Sequence, residues 1–291
     1  GGLYTLDRET GARDGRAFDG GTGPPCLPFL SPDAAYLATG SCDRAALIVW
    51  SLDGGGALLR PLPVPAWPYQ SVNPSGTHMV LANGTQTVDV DLRTGEMTPM
   101  PGVIAAVLAS TGRLFVQDAA GTVQASTRPV EVPSADVPMV VTGRNQQQPT
   151  QIDVNDEAGR YAVSYDPNSI EVRSTAATDR SIATIVPERG NVSSYVLTAD
   201  AKHLYVTARS TLLRYDLAHP DRPQDMGLQA THVALTPDRQ LLAASLADGT
   251  LTFRDPETLE RIGQDIQGGS TYPLMAMSAD GSTLATTEAG M

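Results

Sequence analysis

From Ser194 to Thr207 the chain is S-Y-V-L-T-A-D-A-K-H-L-Y-V-T. Two runs rich in apolar and β-branched residues flank the short turn Thr198-Ala199-Asp200-Ala201, a pattern that predicts a β-hairpin. Aspartate suits such a turn because its side chain accepts hydrogen bonds from nearby backbone N–H groups. A third run, Leu212–Leu217, follows, so this unit predicts at least three antiparallel strands.

Turns of the same type occur seven times along the 291 residues. They end at Ala34, Gly76, Gly112, Gly159, Ala201, Arg239 and Gly281. Successive turns are 36 to 47 residues apart, a spacing typical of a repeat whose unit is one four-stranded sheet. The pattern is not interrupted by a linker, so we predict an all-β chain in which residues 1–291 form one domain.

The two ends of the chain predict a shared sheet. The last repeat has only two strands, the second at Thr283–Thr287, whereas Leu3–Gly11 is similar to the third-strand segment Val88–Gly95. We therefore predict that residues 1–20 complete the sheet begun by residues 270–291. Such sharing removes exposed sheet edges and places Gly2 close to Gly290.

The units resemble those of WD40-like and YVTN-type β-propellers, and the resemblance covers essentially the whole chain. Leu204-Tyr205-Val206-Thr207 is similar to the tetrapeptide that names the second family, and Trp50 stands where the first family has tryptophan. The resemblance implies a divergent bacterial member: a seven-bladed propeller of four-stranded antiparallel blades, the last closed by strands from both termini. No unit begins with the Gly-His pair of a standard WD40 repeat, so the hydrogen-bonded tetrad of that family is not carried over.

Charge and hydropathy exclude several classes of partner. The chain has 32 acidic and 20 basic residues, a net charge of −12, and a single lysine, Lys202. Nucleic-acid-binding proteins usually carry clustered basic residues, so we expect no direct contact with nucleic acid. The longest aliphatic run, Val103–Ala109, is too short to span a bilayer, so we expect no membrane insertion.

No catalytic, cofactor-binding or metal-binding residue is predicted, and no cofactor is expected. His78 and His203 hold equivalent positions in different units and cannot converge on one ion, while His219 and His232 are interpreted as surface or core residues. Asp153, Asp156 and Glu157 lack the spacing of a calcium loop and are interpreted as turn-capping residues. Propeller enzymes of the lactonase or hydrolase type draw single residues from several blades around a central channel, so an enzyme remains an alternative.

The two cysteines leave two possibilities open. Cys26 and Cys42 are equidistant from the hairpin turn near Ala34, so we predict that they are cross-strand neighbours within reach of a disulfide. A disulfide would favour an extracytoplasmic location, whereas two buried thiols would favour the cytoplasm, which is the location we expect otherwise.

Binding residues are expected on one face of the propeller. That face carries the loops leading into each inner strand and those joining the second and third strands. The proline-rich segment Pro61–Tyr69 is such a loop, and aromatic side chains on stiff loops are favoured binding residues. The predicted partner-binding residues are Trp67, Tyr69, Tyr272, Arg44 and Arg209.

These observations predict a non-enzymatic interaction or ligand-sensing module, monomeric, and one domain of a larger bacterial regulatory or signalling protein. Its loop face would bind a protein partner or a small ligand. The alternatives are the propeller enzyme and an exported sensor or cell-envelope scaffold.

Overall fold

The structure is a computed structural model. It describes residues 3–7, 12, 25–31, 34–41, 46–52, 62–63, 69–72, 77–82, 85–92, 94–108, 113–119, 123–126, 139–142, 151–176, 181–188, 190–236, 238–267, 275–278 and 282–287. These residues form strands, turns and irregular segments, and none of them is helical.

The described strands, in chain order, have the following bounds. They are β1 (Leu3–Asp7), β2 (Pro25–Leu30), β3 (Tyr36–Ser41), β4 (Ala46–Ser51), β5 (Leu62–Pro63), β6 (Tyr69–Val72), β7 (His78–Ala82), β8 (Thr87–Asp91), β9 (Met97–Pro99), β10 (Val103–Leu108), β11 (Leu114–Asp118), β12 (Val123–Ser126), β13 (Met139–Thr142), β14 (Gln151–Asn155), β15 (Arg160–Asp166), β16 (Ser169–Ser174), β17 (Ser181–Ile185), β18 (Val192–Leu197), β19 (His203–Ala208), β20 (Thr211–Asp216), β21 (Gln224–Asp225), β22 (Ala230–Leu235), β23 (Leu242–Leu246), β24 (Thr250–Arg254), β25 (Ile266–Gln267), β26 (Met275–Met277) and β27 (Thr283–Thr287).

The strands form seven antiparallel sheets within the described part of the chain. Sheets 1 to 6 are four-stranded and take their strands in sequence order: β2–β5, β6–β9, β10–β13, β14–β17, β18–β21 and β22–β25. Sheet 7 has the order β1-β27-β26, with Leu3 opposite Thr287 and Asp7 opposite Thr283. The predicted all-β class and the four-stranded antiparallel sheets are confirmed, and sheet 7 is built from both ends of the chain.

A turn of one design joins the first and second strands in several sheets. In sheet 5 the Thr198 N–H donates to the His203 carbonyl, and the Ala201 N–H donates to the Thr198 carbonyl. The Thr198 hydroxyl accepts a 3.1 Å bond from the His203 N–H and donates to Asp200. Ala201 has a φ of 48°, and the equivalent Ala34 and Arg239 also have positive φ. The repeated turns of the sequence therefore mark the hairpin between the first two strands.

Two compact units contain these sheets. The first unit comprises Gly1–Trp67, Leu92–Gly95 and Gln229–Met291, and the second comprises Pro68–Asp91 and Glu96–Leu228. In the second unit, neighbouring sheets pack face to face: Val80 of sheet 2 packs with Leu114 of sheet 3, and Phe115 packs with Tyr161 of sheet 4. The largest described core cluster lies between sheets 4 and 5, where Ala162, Ile170 and Val172 pack against Tyr195 and Leu197, among others.

The first unit uses the same arrangement. Leu251 and Phe253 of sheet 6 pack against Met277 and Leu284 of sheet 7. The opposite face of sheet 7 presents Ala285 to Leu30 and Leu37 of sheet 1, among others. Strands alternate their side chains between two faces, so each sheet in the middle of a unit buries both faces against its neighbours.

Candidate functional site

The predicted partner-binding residues are only partly within the described structure. Trp67, Tyr272 and Arg44 lie outside the described residues. Tyr69 is the first residue of β6, and its backbone lies opposite Ala82. Arg209 is fully described and exposed, so the candidate site is built from Arg209 and its neighbours in the second unit.

The register of sheet 1 corrects the predicted cysteine pairing. Cys26 lies opposite Gly40, and the register shifts between Cys26 and Phe29. The prediction that Cys26 lies directly opposite Cys42 is therefore wrong. Leu30 pairs with Leu37, so an uninterrupted hairpin would place Cys26 opposite Ser41, and one extra residue in β2 moves the partner of Cys26 to Gly40. Cys42 lies outside the described residues, and the disulfide itself stays a prediction.

Arg209 and Ser210 form a strained two-residue hairpin turn. Ala208 at the end of β19 pairs with Thr211 at the start of β20, which leaves only these two residues in the turn. Their φ angles are 48° and 58°, so both central residues have the positive φ of a type I′ turn, where Asn-Gly is usual. Residues with a Cβ pay about 1–2 kcal/mol each for this conformation. Among the described residues, no other adjacent pair of non-glycine residues has positive φ.

The neighbouring loops hold this turn in place. The Val192 N–H, at the start of β18, donates a 2.7 Å hydrogen bond to the Pro167 carbonyl in the β15–β16 turn. Val192 in turn lies opposite Ala208, the residue before Arg209. The chain of contacts from Pro167 through Val192 to Ala208 fixes the Arg209 turn against sheet 4.

The β15–β16 turn is itself well ordered by side-chain hydrogen bonds. Asp166 accepts a 2.7 Å bond from the Asn168 N–H and a 2.8 Å bond from the Ser169 hydroxyl. These bonds hold the pKa of Asp166 below its ordinary value, so its carboxylate is negative at neutral pH. The Asn168 side-chain oxygen accepts a 3.4 Å bond from the Asn191 N–H. We name residues 166–169, 190–192 and 209–210 together the loop surface; it presents one exposed cation, Arg209, beside an anionic turn.

At the opposite end of sheets 4 and 5, side chains from sheet 4 bind the backbone of sheet 5. Asp153 accepts a 2.7 Å bond from the buried Leu197 N–H. The Asn155 amide donates to the Thr198 and Ala199 carbonyls at 2.8 and 2.9 Å, and Arg160 donates to the Ala201 carbonyl. The interpretation of Asp153 as a turn-capping residue is therefore wrong: it lies in β14 and joins two sheets.

Asp156 is a second carboxylate that joins sheets. Its Oδ1 lies 2.5 Å from Nη1 of Arg113, which belongs to the connection before β11 in sheet 3. Both Asp153 and Asp156 are thus occupied by protein donors within the described structure. Their chemistry is structural, since each satisfies a donor of the next or the preceding sheet.

The His78–Asp89 pair is the one buried acid–base pair in the described residues. His78 Nδ1 lies 3.1 Å from Asp89 Oδ2, across β7 and β8, and both side chains are at most a tenth exposed. Burial raises the pKa of Asp89 despite the attraction of His78. Val80, on the same face of the sheet, packs against sheet 3, so this pair lies on a covered face of sheet 2.

The remaining histidines do not form a site. Exposed His219 lies 3.1 Å from Asp216, whose pKa is lowered mainly by a hydrogen bond from the Ala218 N–H and then by His219. His232 is partly buried in β22, and burial lowers its pKa. In the described part of the chain, no group of three or more His, Cys, Asp and Glu residues is arranged to hold a metal ion.

A search of the described residues for a helix long and apolar enough to cross a membrane finds none. Comparisons with models of known families and with curated proteins gave no match to this chain. The geometry of the loop surface is therefore the basis of the functional argument. The sequence predicts Arg209 as a binding residue between the second and third strands of its unit. The conformational strain there has no sequence signal, because neither Arg nor Ser is a usual residue of a type I′ turn.

Proposed function

We propose that this chain is a seven-bladed β-propeller that acts as a non-enzymatic interaction module and presents the loop surface to a protein partner. Six successive four-stranded antiparallel sheets, and a seventh sheet shared by strands from the two ends of the chain, support the propeller architecture. Ring closure by such a shared sheet removes exposed edges. The resemblance of the sequence to WD40-like and YVTN-type propellers supports a role as one module of a bacterial regulatory or signalling protein.

The observation that carries the binding role is the strained turn at Arg209 and Ser210. Backbone strain persists where the surrounding structure imposes it, and it is concentrated at binding and switch sites. Here β19 and β20 fix both residues at positive φ, and the exposed Arg209 guanidinium forms no hydrogen bond or ion pair with the residues that the structure describes. Arginine on a rigid turn is an efficient binding residue, because its planar guanidinium forms paired hydrogen bonds with little loss of side-chain entropy.

The partner should offer a carboxylate or a cluster of carbonyl groups to Arg209 and hydrogen-bond donors to the neighbouring turn. Asp166 remains ionised at neutral pH, and Asn168 supplies an amide. The loop surface therefore offers a negative group at Asp166 and a positive group at Arg209, on turns that the contacts from Pro167 through Val192 to Ala208 connect. Such mixed polar recognition favours specificity and association rate.

The test is affinity capture from a lysate of the source cells, with mass spectrometry of the captured proteins. The wild-type chain is compared with Arg209→Glu and with the matched charge reversal Lys202→Glu, in the β18–β19 turn at the other end of sheet 5. We expect one protein to be captured by the wild type and by Lys202→Glu and to be lost with Arg209→Glu. Capture that is equal in all three, or that Lys202→Glu alone abolishes, would place the binding surface elsewhere.

A further inference from the structure

Two asparagines and one arginine lie next to one another on the loop surface. Asn191 directly precedes Val192, and Arg209 directly follows Ala208. Val192 and Ala208 form the last pair of the β18–β19 ladder, so the residues beyond them are neighbours at its end. The Asn191 N–H donates a 3.4 Å bond to the Asn168 side-chain oxygen, which joins Asn168 to the same group. Asn168, Asn191 and Arg209 are all exposed, and we name them the polar row.

The donor groups of the polar row are available to a ligand. Within the described part of the chain, neither the Asn168 and Asn191 amide nitrogens nor the Arg209 guanidinium has a hydrogen-bond partner. A carboxamide carries both donors and an acceptor, so it can bind the N–H and C=O groups of a peptide backbone. A guanidinium carries five N–H donors and no acceptor, so it binds a carboxylate.

The surrounding backbone holds the polar row in place before a ligand arrives. Asn191 and Arg209 have φ angles of 51° and 48°, and Gly190 has a φ of 57°. A Cβ built on Gly190 would lie 3.3 Å from the Asn168 side-chain oxygen, so the β17–β18 connection packs closely on the β15–β16 turn. A surface that is already ordered loses little conformational freedom on binding.

We propose that the polar row binds an extended acidic peptide segment of the partner, with Asn168 and Asn191 on its backbone and Arg209 on an Asp or Glu side chain. This inference rests on the proposed function and names the kind of segment that the loop surface accepts. An extended chain presents backbone N–H and C=O groups along its length and directs alternate side chains to opposite sides. Two amides and a neighbouring guanidinium therefore fit one strand-like segment, whose backbone supplies affinity and whose acidic side chain supplies specificity.

The charges around Arg209 favour a carboxylate over a phosphate. Asp166 is ionised at neutral pH, and the exposed Glu188 lies in the connection that leads to Gly190. A phosphorylated side chain carries a charge of about −1.5 to −2 at neutral pH, whereas Asp or Glu carries one negative charge. One arginine beside two acidic residues accommodates the smaller charge with less repulsion, so the segment is acidic and not phosphorylated.

Selection of binders from a random-peptide phage library on the immobilised full chain tests the proposal. The enriched sequences are then synthesised, and their affinities are measured by fluorescence polarisation. Arg209→Glu and Asn191→Gly are compared with the wild type and with Gln224→Ala, which removes an exposed amide from β21 at the outer edge of sheet 5. Glycine readily adopts the positive φ of position 191, so Asn191→Gly removes the side chain and keeps the backbone.

We expect the enriched peptides to share an Asp or Glu and to bind the wild type and Gln224→Ala equally. Affinity should fall about three- to ten-fold with Asn191→Gly and at least about tenfold with Arg209→Glu. Replacing the shared acidic residue of the peptide by its amide should cost as much as Arg209→Glu, a result that does not depend on the folding of any variant.

The absence of any enriched peptide would overturn the inference, and so would peptides that bind Arg209→Glu or Asn191→Gly as tightly as the wild type. The proposed function is tested separately by capture from the lysate. A folded partner captured through Arg209 would support the interaction module even if no extended peptide binds, so the two failures are distinguishable.

Discussion

The Asp153 carboxylate in β14 accepts a 2.7 Å hydrogen bond from the backbone N–H of Leu197 in β18, one repeat further along the chain. Leu197 is fully buried, so without Asp153 its N–H would lack both this acceptor and ready access to water. Leaving a buried donor unsatisfied costs about 1–3 kcal/mol. The contact therefore stabilises the packing of sheet 4 on sheet 5, below the loop surface that these sheets support.

We predict that Asp153→Ala lowers the free energy of unfolding by about 1–3 kcal/mol, because the Leu197 N–H loses its acceptor. Asp153→Asn keeps a side-chain oxygen at the same place and should lose less. Urea denaturation followed by circular dichroism measures both. The exposed Asp221→Ala is the control and should change stability by less than about 0.5 kcal/mol. Equal losses of unfolding free energy for the alanine and asparagine variants would show that the side-chain oxygen at position 153 does not account for the stabilisation.

Substitutions of Thr236 test how much the threonine hydroxyl stabilises the repeated turn. Its hydroxyl accepts a 3.0 Å bond from the Leu241 N–H and donates a 2.5 Å bond to Asp238. Thr236→Ala should lower the free energy of unfolding by about 1 kcal/mol. Thr236→Ser keeps the hydroxyl, as Ser278 does in the equivalent turn of sheet 7, and should remain close to the wild type. A serine variant as unstable as the alanine variant would mean that the threonine methyl group, and not the hydroxyl, stabilises the turn.

The raised pKa of Asp89 predicts that the free energy of unfolding depends on pH. Burial raises the pKa of Asp89 in the folded chain, so the unfolded chain releases this proton first as the pH rises. Its contribution to stability is complete below the unfolded value, about 3.9, and decreases as the pH rises through the folded pKa. The free energy of unfolding of the wild type minus that of Asp89→Asn should therefore fall as the pH rises above the unfolded value of about 3.9.

Urea denaturation at several pH values measures this difference. Asp221→Asn, at an exposed position, is the matched control and should show no such slope. A difference between the wild type and Asp89→Asn that rises with pH would mean that the attraction of His78 outweighs burial.

The sequence predicts the sheets well because their signals are local. The turn at Thr198–Ala201 and the apolar runs on both sides fix one hairpin within some fifteen residues, and the same is true of Thr236 and its flanking strands. The all-β class and the four-stranded antiparallel sheets follow from repeating that unit. Contacts such as Asp153 with Leu197 depend on how one sheet packs on the next, which no local pattern encodes.

Two errors have the same origin. Cys26 faces Gly40 because β2 contains a register shift that an evenly counted hairpin omits. Asp153 binds the Leu197 N–H of another sheet, although its position beside Asp156 and Glu157 suggested a local turn cap. The strain at Arg209 and Ser210 was also missed, because the turn has the right length for a type I′ conformation but lacks the usual asparagine and glycine.

At the strained turn of Arg209 and Ser210, one double substitution should raise the stability of the chain while it lowers the affinity for the partner. Replacing Arg209 and Ser210 by Asn and Gly supplies the residues that a type I′ turn favours and removes up to about 1–2 kcal/mol of strain at each position. We predict that this double variant unfolds at a higher urea concentration than the wild type. A variant no more stable than the wild type would mean that the turn is not strained.

The most direct test of the binding role is the affinity of the captured partner for this more stable double variant, measured by biolayer interferometry beside the wild type and Lys202→Glu. Loss of a central arginine typically costs at least about 2 kcal/mol, or some thirty-fold in affinity. We predict a loss of that size for Arg209→Asn with Ser210→Gly and no change for Lys202→Glu. Because the double variant is predicted to be more stable than the wild type, unfolding would not explain the loss. Unchanged affinity in the double variant would contradict the assignment of the loop surface as the binding site.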